Sequence, residues 1–335
     1  MEPIKFEFDG FNKELVAQLS EKIASALSAY EFNGFLLGCT FEDYLSDEGK
    51  EMLRKEFQPL LVKSVEEKLG KVANYSKPDI EILVNFNQDL VFFIVHSVYV
   101  RGRYRKFSSL PQTKHYCFKC KGKGCEYCNY KGTLSSESVE ELIAKHAVPM
   151  FDAQQAKLHG AGREDVDVRM LGPGREFVLQ IFEPKKRVVD LKELEAKVNK
   201  SEAGKIEIFN LEYCTREDVA KIKAKKAKKV YVATVRCDKE LSDEDLRKLP
   251  GSYEIEQRTP LRVMHRRADI VRKRHAEITD AKLEEKLLKL KILAESGLYI
   301  KEFVSGDNGR TKPSISEILG TKCECIALDV VDIIE

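Results

Sequence analysis

Residues 157–181 read KLHGAGREDVDVRMLGPGREFVLQI, a stretch in which glycines and charges crowd together and then give way to an apolar run. A buried strand does not carry Arg163, Glu164, Asp165, Asp167 and Arg169 within seven residues unless those charges are paired or used. Three readings stay open on the residues alone. Asp165 and Asp167 can form a DxD site for a divalent cation. One aspartate can instead be a nucleophile or base held by Arg or Lys, with Gly172-Pro173-Gly174-Arg175 as a turn opposing phosphate. The third reading is a structural, salt-bridged hairpin.

The second half alternates strands with charged helices. REFVLQIF (175–182), KIEIFNLEY (205–213), KKVYVATVRC (228–237) and the C-terminal KCECIALDVVDIIE read as strands. LKELEAKVNK, REDVAKIKAKK and DAKLEEKLLKLKILAE (280–295) read as helices. No Gly-rich phosphate loop follows the first strand, so the expectation is an α+β fold with a mixed, largely antiparallel sheet, not a dinucleotide-binding one. Ser136 or Ser138 can cap a helix beginning at Val139, and a domain boundary is placed near residue 133.

Upstream lies a second α+β module. Leu15, Leu19, Ile23 and Leu27 recur four apart, the stripe of an amphipathic helix. Phe32–Phe41 reads as a strand and Glu51–Leu69 as a helix. IEILVNF and LVFFIVHSVYV read as a hairpin turned by Asn87-Gln88-Asp89. At 335 residues with 43% hydrophobic and 33% charged content, two domains and real cores are expected, and fibrous or wholly disordered classes are excluded. No run approaches the ~18 apolar residues of a membrane span, and no secretory leader is apparent. A soluble cytoplasmic protein is the expectation.

Between the two modules, Cys117-Phe-Lys-Cys120 and Cys125-Glu-Tyr-Cys128 stand four residues apart. Two CxxC turns supply the four thiolates of a closed tetrahedral zinc site, with Gly122, Gly124 and Gly132 easing the fold-back. Such a site has no open coordination position and reads as scaffolding. Its rival is a thiol redox or iron–sulfur site, for which nothing else in the chain speaks. Cys39, Cys214 and Cys237 fall in apolar strand-like runs and are expected to be buried.

Charge is unevenly spread despite a net +2. Residues 101–131 hold nine Lys/Arg against Glu126 alone, 258–275 hold seven against Asp269 alone, and 221–229 hold six lysines and no acid. Three basic clusters in a near-neutral chain point to a polyanion laid across one face, hence nucleic acid.

GREDVDVRMLGPGREFVLQI (162–181), QRTPLRVMHRRADIVRKR (257–274) and GLYIKEFVSGDNGRTKPSISEILG (297–320) together closely resemble the tRNA pseudouridine synthases of archaea and eukaryotes that modify T-loop uridines 54 and 55. YVRGRYRKFSSLPQT, ahead of the cysteines, resembles their accessory domain. Glu176 and Gln180 depart from the pattern, where proline and an acid are expected.

The resemblance implies a catalytic pseudouridine-synthase domain at 134–335 and a THUMP-like, RNA-binding accessory domain at 1–133 that carries the zinc knuckle. It makes Asp165, in Gly162-Arg163-Glu164-Asp165, the catalytic aspartate. Tyr231, in the K-x-Y element Lys229-Val230-Tyr231, would stack on the uracil, Ile300 or Leu298 would pack beside it, and Lys301 would pair with Asp165. Arg163 would fill the vacated space or grip phosphate, and Arg258, Arg262, Arg266, Arg267, Arg103 and Lys106 would contact RNA. The implied substrate is the T arm of tRNA, met by a monomer with a structural zinc ion, no catalytic cofactor, no nucleotide cofactor and no membrane. Two other classes remain: a non-catalytic zinc-containing tRNA-binding protein, and a metal-dependent RNA nuclease or phosphotransferase using Asp165 and Asp167.

Overall fold

The computed structural model describes residues 1–41 and 46–334, apart from the side chain of Arg266. A short strand, β1 (Ile4–Lys5), leads to helix α1 (Lys13–Leu27), where the Asn12 side chain accepts a hydrogen bond from the Leu15 amide. Leu15, Leu19, Ile23 and Leu27 are all buried along it, because i, i+4 positions stack on one helical face. Strand β2 (Gly34–Thr40) and helices α2 (Asp47–Met52) and α3 (Gln58–Leu69) follow, the helices joined by a π-helical stretch at Leu53–Phe57. Then come β3 (Val72–Ala73), β4 (Ile80–Asn85) and β5 (Leu90–Val95), giving a five-stranded sheet in the order β1-β5-β4-β2-β3. The β4–β5 hairpin closes at Asn85↔Leu90, around the expected Asn87-Gln88-Asp89 turn.

LVFFIVHSVYV is not one strand. It breaks at His96-Ser97, and β6 (Val98–Lys106) leaves for a second sheet, where it pairs with β8 (Arg169–Phe182) and β9 (Ile206–Cys214). Sheet membership therefore changes some 35 residues before the boundary expected at 133. Arg187 ties the two sheets together: Nη2 lies 3.1 Å from Asp79 Oδ1, and Nη1 donates to the His96 carbonyl at 2.9 Å.

After β6 and the cysteine segment come α4 (Val139–Met150), capped by Ser138, and β7 (Gln155–Gly160), which pairs with β8. Helix α5 (Leu191–Ser201) precedes β9, and α6 (Arg216–Ala224) leads into β10 (Lys228–Cys237). Helix α7 (Asp243–Arg247), β11 (Gly251–Arg258), β12 (Val271–Glu284), β13 (Leu287–Ala294), α8 (Ile300–Ser305), β14 (Thr311–Lys312), α9 (Ile315–Leu319) and β15 (Cys323–Ile334) complete the chain. The large sheet runs β14-β11-β12-β13-β10-β15-β8-β6-β9, and all its pairings are antiparallel except β15 with β8. The α+β class with a mixed, largely antiparallel sheet is what the sequence led one to expect.

Two expectations fail locally. Residues 280–295 form the β12–β13 hairpin and not a helix. Leu288, Leu290, Ile292 and Ala294 are buried at every second position, the period of a strand, and Glu285 and Lys286 both take positive φ as a two-residue hairpin turn requires. Likewise Gly172-Pro173-Gly174-Arg175 is no exposed turn; it lies inside β8. Gly172 sits at φ +58° where a Cβ would come within 1.9 Å of the Val331 carbonyl, so only glycine lets β8 press this closely on β15.

Candidate active site and RNA interface

The loop between β7 and β8 delivers Asp165, the start of β10 delivers Lys229 and Tyr231, and the entry to α8 delivers Ile300 and Lys301. All five line one open cavity of about 540 Å³, with Leu328 and Val330 of β15 also in its wall. That volume lies within the range of small-ligand sites. Buried Gln257 fixes the α8 side, donating to the Tyr299 carbonyl at 3.0 Å and accepting from the Tyr299 amide at 2.8 Å. A bulge between Val230 and Tyr231 interrupts the β10–β15 register beside the cavity.

The cation on Asp165 is not Lys301. Lys301 instead donates to Asp167, 2.7 Å from Oδ1. Burial works against the Asp167 charge, but this lysine outweighs it and holds the carboxyl below its ordinary range. Arg262 takes the place at Asp165, with Nη2 2.9 Å from Oδ2. Glu302, buried on α8, grips the same guanidinium from Nε at 2.6 Å and Nη2 at 3.3 Å. Arg262 therefore reaches across the cavity to both carboxylates while its side chain stays partly exposed. Because each aspartate has its own cation, the pair does not form the shared acidic cradle that a DxD metal site needs.

Beneath the aspartate loop lies a polar pedestal that sequence reasoning missed. Arg175 is fully buried, with Nε 2.7 Å from Glu164 Oε2, close but off the line of a hydrogen bond. The Tyr104 hydroxyl donates to Glu164 Oε1 at 2.7 Å and accepts from Gln112 at 3.0 Å, and Gln112 also donates to the Gly162 carbonyl at 3.1 Å. Lys106, expected to contact RNA, is wholly buried. Its Nζ donates to the carbonyls of Leu110, Asp165 and Val166 at 2.7, 3.1 and 3.0 Å, which pins the loop from below. Arg103 is also turned inward, donating to Pro173 and Gly174 carbonyls and to Glu176. The signal in the sequence was the density of charge around Glu164. What it could not reveal was where the partners come from: Tyr104 and Lys106 from β6, Arg175 from β8 and Gln112 from the segment after β6.

Tyr231 lines the cavity, and burial pushes its hydroxyl up to about 12. Lys229 beside it is lowered to about 8, first by burial and then by the positive charge of Arg175. Arg163 is exposed at the cavity rim and Arg267 lines the same wall; neither has an ion-pair partner among the described residues. Arg258 pairs with Asp269 at 2.7 Å, while the Arg266 side chain lies outside the described residues. The basic clusters are therefore less free than their counts imply. Arg101, Arg103 and Arg105 are matched by Glu212, Glu176 and Glu207, whereas Lys119, Lys121, Lys123 and Lys131 on the knuckle are exposed with no carboxylate partner among the described residues.

The four knuckle cysteines converge, their sulfurs all within 4.8 Å of one another. Cys117–Cys125, Cys120–Cys128 and Cys125–Cys128 each stand 3.8 Å apart. Sulfurs at Zn–S distances of about 2.3 Å on a tetrahedron are separated by about 3.8 Å, so the cluster fits a zinc ion. Backbone amides of Gly124 and Gly132 point at Cys120 and Cys128 sulfurs at 3.2 and 3.3 Å, the donors a tetrathiolate wants around it. Of the other cysteines, Cys39 and Cys214 are half-buried on strands, and Cys237 lies 3.2 Å, sulfur to sulfur, from buried Cys323.

A protein-family model described as "Pus10, C-terminal" matches residues 99–334. The tRNA pseudouridine synthase Pus10 of Methanocaldococcus jannaschii is 40% identical over 335 residues, a match covering 96% of this chain and 73% of that protein. The Pus10 of Archaeoglobus fulgidus is 42% identical over 332 residues, covering 94% of this chain and 91% of its own. Among solved structures, a chain of a Cbf5-Nop10-Gar1 complex is 16% identical and matches 57% of this chain and 44% of that one, with a TM-score of 0.31. No helix of the described residues is long and apolar enough to cross a membrane.

Proposed function

The chain belongs to the Pus10 family, and on that premise we propose that it isomerises uridine in tRNA to pseudouridine, on the T arm at position 54, 55 or both. In this reading Asp165 is the reacting carboxylate, Tyr231 stacks on the uracil and Ile300 packs beside it. Arg163 and Arg267 meet the RNA at the cavity rim. The enzyme acts as a monomer in the cytoplasm, and the four cysteines hold one structural zinc ion.

The supporting observation is convergence: segments around residues 165, 231 and 300, far apart in the chain, meet at one cavity, with a single arginine on the proposed aspartate. The reaction breaks the N1–C1′ bond, turns the base and joins C5 to C1′; C5 loses a proton and N1 gains one. Atoms and electrons balance within the nucleoside, so no oxidant, group donor or nucleotide enters. Arg262, held by Glu302, fixes the direction of the Asp165 carboxylate through its ion pair at Oδ2. Lys106 fixes the backbone of the same residue from the opposite side. Extracting the uridine from its stack costs a few kcal/mol, which stacking on Tyr231 offsets.

The test is a map of pseudouridine, by carbodiimide adducts and reverse-transcription stops, in an unmodified tRNA transcript incubated with the pure protein. Stops in the T loop that need the enzyme support the reading. Their absence from every transcript tried would overturn it.

A further inference from the structure

Three aromatic rings stand in a row between the cysteine knuckle and the cavity. Tyr127 and Phe118 have ring centroids 5.1 Å apart, and Phe118 and His265 have centroids 5.5 Å apart. Phe118 and Tyr127 are each 52% exposed although a large apolar ring gains most from burial. Phe118 meets Tyr127 edge to face at 63° and His265 at a 42° tilt, and single exposed rings are ordinary whereas adjoining ones mark an interaction surface.

The electrostatics name the class of that ligand. Lys119 Nζ lies 4.2 Å from the centre of the Tyr127 ring, and Lys121, Lys123 and Lys131 of the same knuckle segment are exposed. Aromatic faces interleaved with unneutralised cations suit a nucleobase on a phosphate backbone. The base must be unpaired, because paired bases in an RNA helix keep their faces stacked inside.

Position connects the strip to the chemistry. His265 belongs to the same short helical turn, Leu261–Arg266, as Arg262 and Val263, and both of these line the cavity. A strand of RNA with one nucleotide in the cavity thus has a ring of the strip close at hand for another.

We propose that Tyr127, Phe118 and His265 form a second base-binding site, which stacks an unpaired nucleotide of the same RNA whose target uridine enters the cavity. This site rests on the reading of the chain as a tRNA-modifying enzyme and adds to it a base contact made by the knuckle. It makes the knuckle part of substrate selection as well as of the fold.

The experiment uses the full-length, zinc-loaded chain with Phe118→Ala, Tyr127→Ala and Phe118→Tyr variants. Unmodified tRNA transcripts carry 2-aminopurine at one unpaired position at a time. The expected result is quenching at one such position by the wild type and by Phe118→Tyr, lost in Phe118→Ala. KM should rise roughly tenfold or more in each alanine variant, as loss of one stacked base implies, with kcat within about twofold by the same argument that stacking here positions and does not react. Zinc content and Tm should stay at the wild-type values. Unchanged quenching and KM in both alanine variants would overturn the site. So would a KM change that comes with zinc loss and is not rescued by Phe118→Tyr, since the rings would then be serving the knuckle's own fold. Quenching without any pseudouridine formed by the wild type would leave the site standing and remove the catalytic reading instead.

Discussion

Arg262 Nη2 sits 2.9 Å from Asp165 Oδ2, and the guanidinium is gripped from behind by the buried carboxylate of Glu302. A planar fork with two carboxylates on it has little freedom left, so Asp165 faces a fixed cation and not a mobile one. Arg262→Lys should therefore lower kcat by about a hundredfold, since a point charge cannot hold both carboxylates in place and small misplacements are costly. tRNA affinity should stay within a few-fold. An affinity collapse with kcat preserved, measured by filter binding beside turnover, would return Arg262 to the role of a phosphate contact.

Asp165→Asn should abolish pseudouridine formation, because the proposed chemistry has one carboxylate. Asp167→Asn should retain most activity, as Asp167 is engaged by Lys301 towards the open side of the site. Tritium release from 5-tritiated uridine in tRNA measures both. The opposite ranking would move the assignment by two residues.

Much of this arrangement was legible beforehand. The α1 stripe, the β4–β5 hairpin and the paired CxxC turns announce themselves through local period or spacing, whereas the blocks around 165, 231 and 300 were legible through their resemblance to a known family. What stayed hidden was partnership. Lys106 and Arg262 both read as surface cations because long basic side chains usually are; only the fold turns one under the aspartate loop and the other across it. The strand LLKLKILA was lost for a different reason. The flanking DAKLEEK is rich in helix formers, and that propensity masked a two-residue alternation which burial obeys.

The pedestal should be sensitive to loss of one partner. Glu164→Gln leaves the buried Arg175 charge uncompensated, and about 3 kcal/mol of stability should go with it. Tyr104→Phe, which removes one buried hydrogen bond, should cost about 1–2 kcal/mol. Chemical denaturation of the two variants checks the order.

Lys229 gives a pH signature. Its ammonium is lowered to about 8 in the fold, against about 10.4 for a free side chain. Between those values the unfolded chain binds the extra proton, so folding stability should rise as pH increases through that window. Below pH 8 both states are protonated and the burial penalty is felt in full. Lys229→Met should flatten the rise between pH 8 and 10; an unchanged profile would mean that this lysine is solvated.

Metal and salt test the knuckle. Cys117→Ser with Cys120→Ser should release about one equivalent of zinc and lower Tm, because binding energy at such a site is folding energy. Replacing Lys121, Lys123 and Lys131 by alanine should reduce the slope of log affinity against log salt by about two to three units, with kcat at saturating tRNA little changed. A full slope in the triple variant would place the RNA on another face.

The loop that carries Asp165 is held by the buried polar set of Glu164, Arg175, Tyr104 and Lys106 as well as by the core residue Val168. Polar support of that kind responds to heat differently from an oily core. The penalty for keeping charges out of water falls as temperature rises, while apolar burial levels off. On warming, the floor under the aspartate should therefore hold its relative strength longer than the surrounding packing, and the geometry of the site should be among the last features of the domain to blur before it unfolds.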